Sequence, residues 1–141
     1  MKQAKWGRVL LAAALMGITG AALAADAVDF GKREYNLKCA SCHGLTGKGD
    51  GYYQPLLTVA PTNLTVITKK NNGVFPLDYG VQAIDGRGSV KAHGPRAMPI
   101  WGRDFAIEAG ERYFAVPYDG DAVVRARILA LVDYLNRLQI Y

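Results

Sequence analysis

The sequence predicts an all-α fold of short helices and long loops, and three observations carry that prediction. Val124, Ile128, Leu131, Leu135 and Leu138 recur at steps of four, three, four and three, which is one apolar face of a helix. No alternating polar and apolar run of useful length occurs, so no strand is expected. Glycines and prolines gather between Gly44 and Pro61 and again between Gly88 and Gly102, where regular structure is interrupted.

The elements follow in order. Lys2, Lys5 and Arg8 precede an uncharged apolar stretch, Val9 to Ile18, and Ala22-Leu23-Ala24 offers the small residues that a signal peptidase reads. Residues 1–24 are therefore read as an export signal cut after Ala24, with Ala25 as the second choice. Residues 25–141 form a single domain. An uncleaved anchor is the alternative, and only then would the chain be held at a membrane.

Asp29 is placed to cap a helix through Phe30, Glu34, Tyr35 and Lys38. A second short helix runs from about Asn63 to Lys70 and stops at Asn71-Asn72-Gly73. A third covers Leu77 to Asp85, with Gly86 after it. Gly88 to Gly102 reads as a loop. Phe105 to Phe114 is ambiguous, because Gly110 disfavours a helix while Ile107, Glu111 and Phe114 keep helical spacing. The last helix starts at Asp119 and Asp121 and ends near Arg137, charges that suit its dipole.

Composition narrows the function. The 141 residues carry a formal charge of +5, and half of them are hydrophobic, which excludes a disordered chain. Loss of the signal removes three positive charges and leaves +2, too little to argue for nucleic acid. Lys69-Lys70 is the longest basic stretch after the signal. Two cysteines exclude a disulfide-rich scaffold and a four-cysteine zinc site. Short helices and long loops also bury little surface by themselves, so something besides side chains is expected to fill the middle.

Cys39-Ala40-Ser41-Cys42-His43 supplies it. C-x-x-C-H is the attachment signature of haem c. The two thiols add across the porphyrin vinyl groups, and His43 is then held against the iron. A thioredoxin-like pair lacks its βαβ context, and zinc lacks ligands because His93 is the only other histidine. Outside the signal the sole methionine is Met98, followed by Pro99. A thioether suits ferrous iron, and the proline stiffens the loop. Met98 is the first choice for the sixth ligand, with His93 or an open position as the others.

With these residues in hand, the chain from about Asp29 to Gln139 resembles a monohaem class I c-type cytochrome of bacterial, exported type. The resemblance implies three or more helices wrapped round one covalently bound haem, with the first and last helices crossing. Gly31 and Tyr35 would meet Leu131 and Tyr134 at that crossing. Pro55, with Pro61 as its rival, would lend a carbonyl to the far nitrogen of His43. Ile84, Gly86, Met98-Pro99 and Trp101 match the family's ligand loop, and Trp101 would pack on the haem or bind a propionate, or be an ordinary loop tryptophan. Arg87, Lys91, Arg96 and Arg103 are candidates for the propionates. The departure is Arg103 to Asp121, which puts nearly twenty residues between the ligand loop and the last helix where small members need much less. It is read as a surface loop, or else a cover for the haem edge or a docking surface.

The function implied is periplasmic electron transfer by a carrier rather than an enzyme, either as a shuttle or as the haem subunit of a respiratory redox complex. Its partners would be redox proteins: a periplasmic dehydrogenase or reductase, a membrane oxidase or a bc1-type complex. Electrons would leave by the edge near Ala40 and Ser41. The alternative is a small peroxidase-like haem enzyme or a gas-binding sensor with a labile sixth ligand.

Overall fold

The computed structural model describes residues 27–87 and 98–141. The signal segment 1–24, Lys91, His93 and Arg96 lie outside the described residues. Helices are the only regular structure among the residues described: α1 (Phe30–Lys38), α2 (Ala40–His43), α3 (Ile67–Lys70), α4 (Leu77–Asp85), α5 (Trp101–Tyr113) and α6 (Gly120–Arg137). None of them is long and apolar enough to cross a membrane. The fold is all-α, as the periodicity predicts.

Several helix ends are fixed by the chemistry read from the sequence. Asp29 caps α1 by accepting from the Lys32 amide at 2.9 Å, and Asp119 caps α6 by accepting from Ala122 at 2.9 Å. Gly86 ends α4 in the left-handed conformation, φ +65°, where a residue without a Cβ is least strained. The predicted 63–70 helix is split. Leu64–Val66 is a 3-10 turn capped by Asn63, and only Ile67–Lys70 is α-helical.

The core lies where α1 crosses α6 and where α4 and α5 pack on α6. Tyr35, Val124, Ile128, Leu131 and Val132 are at most 1 % exposed. Burial of each such side chain contributes about 1.5–3 kcal/mol relative to leaving it in water. The Tyr35 and Tyr134 rings sit 5.2 Å apart, tilted by 50°, and the Tyr35 hydroxyl donates to the Gly44 carbonyl at 2.6 Å. Gln139 then ties the C-terminus back to α3. Its Oε1 accepts from the Thr68 amide at 2.9 Å, and its Nε2 donates to the Leu64 and Leu135 carbonyls at 2.7 Å each.

Two expectations need correction. The loop drawn to Gly102 ends earlier, because α5 already begins at Trp101. The extra segment after Arg103 is not chiefly a surface loop. Its first half belongs to α5, a 13-residue helix that buries Phe105 and Ala109. Gly110 lowers helix propensity by about 1 kcal/mol, and Phe105, fully buried and stacked 6.2 Å from Trp101, more than offsets it. Only residues 114–119 are irregular, and all six are exposed.

Candidate functional site

α1 hands the chain to α2 without a gap. The Cys39 amide donates to the Tyr35 carbonyl at 2.8 Å, while the Cys39 carbonyl accepts from the Cys42 and His43 amides. Cys39 is thus both the last cap of one helix and the first cap of the next. Ala40 is buried and Ser41 exposed, so of the two only Ser41 is at the surface. Cys39 and Cys42 are free thiols. Burial pushes the Cys39 thiol up to about 12, and the nearby Glu34 carboxylate and Cys42 add to the shift.

A four-residue helix cannot persist on its own. This one is held by the glycine-rich loop that follows. Its last carbonyls are each taken by a loop amide: Ser41 by Tyr53 at 2.8 Å, Cys42 by Gly51 at 3.1 Å and His43 by Gly49 at 2.8 Å. The glycines are needed for the approach. A Cβ on Gly51 would stand 2.5 Å from the Ser41 oxygen, and one on Gly49 would stand 2.4 Å from the Pro61 oxygen. The loop that looked like mere punctuation is a clamp on the C-x-x-C-H turn.

The same clamp orients His43. Its Nδ1 lies 3.0 Å from the carbonyl oxygen of Thr62. A carbonyl only accepts, so Nδ1 carries the proton and the lone pair lies on Nε2. The carbonyl beside the ring is that of Thr62, not of Pro55 or Pro61. Pro55 is exposed in the 3-10 turn Gln54–Leu56. The first choice, Pro55, lies seven residues before Thr62, and its rival Pro61 is the immediate neighbour of the residue whose carbonyl makes the bond.

Met98 and Trp101 are half-buried and pack against the same core as Cys39 and Ala40. Trp101 opens α5, with the Lys38 ammonium 5.8 Å from its ring centre. Arg87 is committed elsewhere: its guanidinium bonds Asp85 at 2.5 and 3.2 Å and Asp121 at 3.3 Å. Arg103 is exposed. No cluster of three or more His, Cys, Asp or Glu side chains able to hold a metal ion occurs among the described residues.

The cytochrome c family model matches residues 28–139, nearly all of the described fold. This chain belongs to the cytochrome c family. No curated protein and no solved structure matches it. As a cytochrome c it is a haem-binding electron-transfer protein and a carrier rather than an enzyme.

The residues present fit a haem. Two free thiols stand one helical turn apart beside an imidazole whose lone pair is on Nε2. The loop after them turns apolar side chains outward, with Leu45, Tyr52 and Leu56 each more than 70 % exposed. A domain this small does not gain by hydrating so much apolar surface, and a porphyrin face is a partner of the right chemistry for it. Thr62 was the functional residue missed by sequence reading, and Pro61 was the only signal that pointed near it.

Proposed function

We propose that the protein is a periplasmic electron carrier with a single haem c, joined through thioethers to Cys39 and Cys42. His43 and Met98 are the axial ligands. The observation that carries this reading is the Thr62 carbonyl at His43 Nδ1, which fixes the tautomer a metal ligand needs beside two free thiols. Met98 supports the second ligand by its place against the core that also holds Cys39. The basic, apolar and small-residue pattern of residues 1–24 supports export.

When bound, haem supplies a one-electron ferric–ferrous couple, and a methionine ligand raises its potential. The protein's part is to hold and shield. The amides of Gly49, Gly51 and Tyr53 keep the α2 turn rigid, so the ligand ring does not reorient between oxidation states. The packed α1, α5 and α6 exclude water from one side of the site. Partners are redox proteins of the same compartment, met in brief encounters: a dehydrogenase or reductase, a membrane oxidase or a bc1-type complex.

The test is an optical spectrum of the protein, oxidised and reduced, with carbon monoxide added to the reduced form. A weak far-red sulfur-to-iron band with no response to carbon monoxide is expected. Ready binding of carbon monoxide with no such band would remove Met98 from the iron and favour a haem enzyme or sensor.

A further inference from the structure

α1, α5 and α6 meet at a chain of four charges. Glu34 on α1 is 3 % exposed. Arg127 on α6 donates to it at 2.6 Å and lies 2.8 Å from the Glu108 carboxylate of α5. Lys38 pairs with the other Glu108 oxygen. The Arg127 guanidinium also sits 4.0 Å from the centre of the Phe105 ring. Burial draws the Arg127 pKa down, and its hydrogen bonds to Glu34 and Glu108 outweigh that and raise it. Two acids and two bases alternate along the chain, so each charge has an opposite partner.

Stability alone does not explain such a group. Apolar residues of similar volume commonly serve a core as well or better than a buried ion pair. Its position is more telling. Glu34 lies in α1 five residues before Cys39, the residue that caps this helix, and after burial its carboxylate is one of the causes that raise the Cys39 thiol pKa. Lys38 is the residue immediately before that cysteine.

We propose that the buried Glu34 carboxylate lowers the reduction potential and that Arg127, ion-paired to it, offsets that pull, so that the potential depends on the two charges being present together. The proposal rests on the haem reading above. The ferric state carries one more positive charge than the ferrous state. A fixed carboxylate nearby therefore favours the ferric state, and a fixed cation favours the ferrous one. Water screens such a field at the surface but much less within a core. Neither residue is offered as a ligand; both act on the iron through the field alone.

The experiment is a spectroelectrochemical titration of holoprotein variants, each first checked for haem by its absorption spectrum. Glu34→Gln keeps the shape and removes the charge. Its potential is expected to rise by a three- to tenfold change in the reduction equilibrium, tenfold being about 59 mV for one electron. Arg127→Met is expected to lower it by a similar factor. The double variant Glu34→Gln/Arg127→Met, which removes both charges, is expected to return near the wild-type value. Because Arg127→Met leaves Glu34 unpaired and can fail to fold, the decision rests on Glu34→Gln and the double variant. Asp133→Asn, on the exposed face of α6, is the control and should not shift. A Glu34→Gln potential that moves no further than that of Asp133→Asn overturns the proposal. A wild-type protein without haem overturns the underlying reading instead, and the first spectrum tells the two failures apart.

Discussion

The backbone of Gly31 lies so close to that of Ala130 that a Cβ on Gly31 would stand 2.1 Å from the Ala130 carbonyl oxygen and 3.1 Å from the Tyr134 Cβ. This is the contact through which the first and last helices cross. It lets the Tyr35 and Tyr134 rings meet and sets the direction in which α1 delivers Cys39.

Gly31→Ala should therefore destabilise the protein although alanine is the better helix former. The helix-propensity gain is about 1 kcal/mol. The clash is with backbone, which cannot rotate away, and overpacking of this kind costs about 1–3 kcal/mol and sometimes more. With the clash against backbone at the upper end of that range, the expected net loss is about 2 kcal/mol, read as a lower urea midpoint of the holoprotein. An unchanged or higher midpoint would mean the helices can separate without penalty.

Phe105→Ala tests whether α5 is part of the core. Phe105 is fully buried, stacked on Trp101 and capped by Arg127. Truncating a buried phenylalanine costs about 3–5 kcal/mol. A loss of that size in chemical denaturation is expected. A loss below about 1 kcal/mol would return the segment to the status of a surface appendage.

How much of this was legible in the sequence depends on whether a pattern is local. The caps at Asp29 and Asp119, the stop at Gly86 and the apolar face of α6 are local, and they stand where the residues put them. The Gly31 crossing was legible only through the family resemblance, because nothing in a single helix says what approaches its glycine. α5 was obscured for the same reason: Gly110 speaks against a helix locally, while the packing of Phe105 against Arg127 is long-range. The Thr62 carbonyl has no side-chain signature at all. The charge chain was half visible, since Glu34 and Lys38 are four apart on one helix, but its partners are 93 residues away for Glu34 and 70 for Lys38.

Acid stability should depend on Asp29. Its carboxylate is lowered to about 2, first by hydrogen bonds from Arg137, at 2.7 and 3.0 Å, and then by the Lys32 amide. The folded pKa is below the unfolded value of about 3.9. Its contribution is thus full above pH 4 and is lost as pH falls from about 4 to about 2. Asp29→Asn keeps a capable helix cap and removes the charge. The wild-type melting temperature should fall more steeply than that of the variant between pH 4 and pH 2, and the gap should narrow in high salt because the site is exposed. Parallel curves would show that the ion pair with Arg137 does not contribute in solution.

Met98→Ala gives the sharpest check on the proposed ligation. Met98 is the sole methionine outside residues 1–24, and its side chain is half-buried against the core. If its sulfur holds the iron, alanine removes the ligand and leaves the rest of the fold, so the haem spectrum should persist while the far-red band disappears. The reduced variant should then bind carbon monoxide readily. Its potential should fall by an amount on the order of 100 mV, within the roughly 0.8 V range over which axial ligands tune haem. Thermal stability should drop too, because the ligand loop loses its anchor. If the wild-type protein shows no such band and the substitution leaves its potential unchanged, the sixth ligand is not Met98, and His93→Ala becomes the variant that decides between a second protein ligand and an open iron.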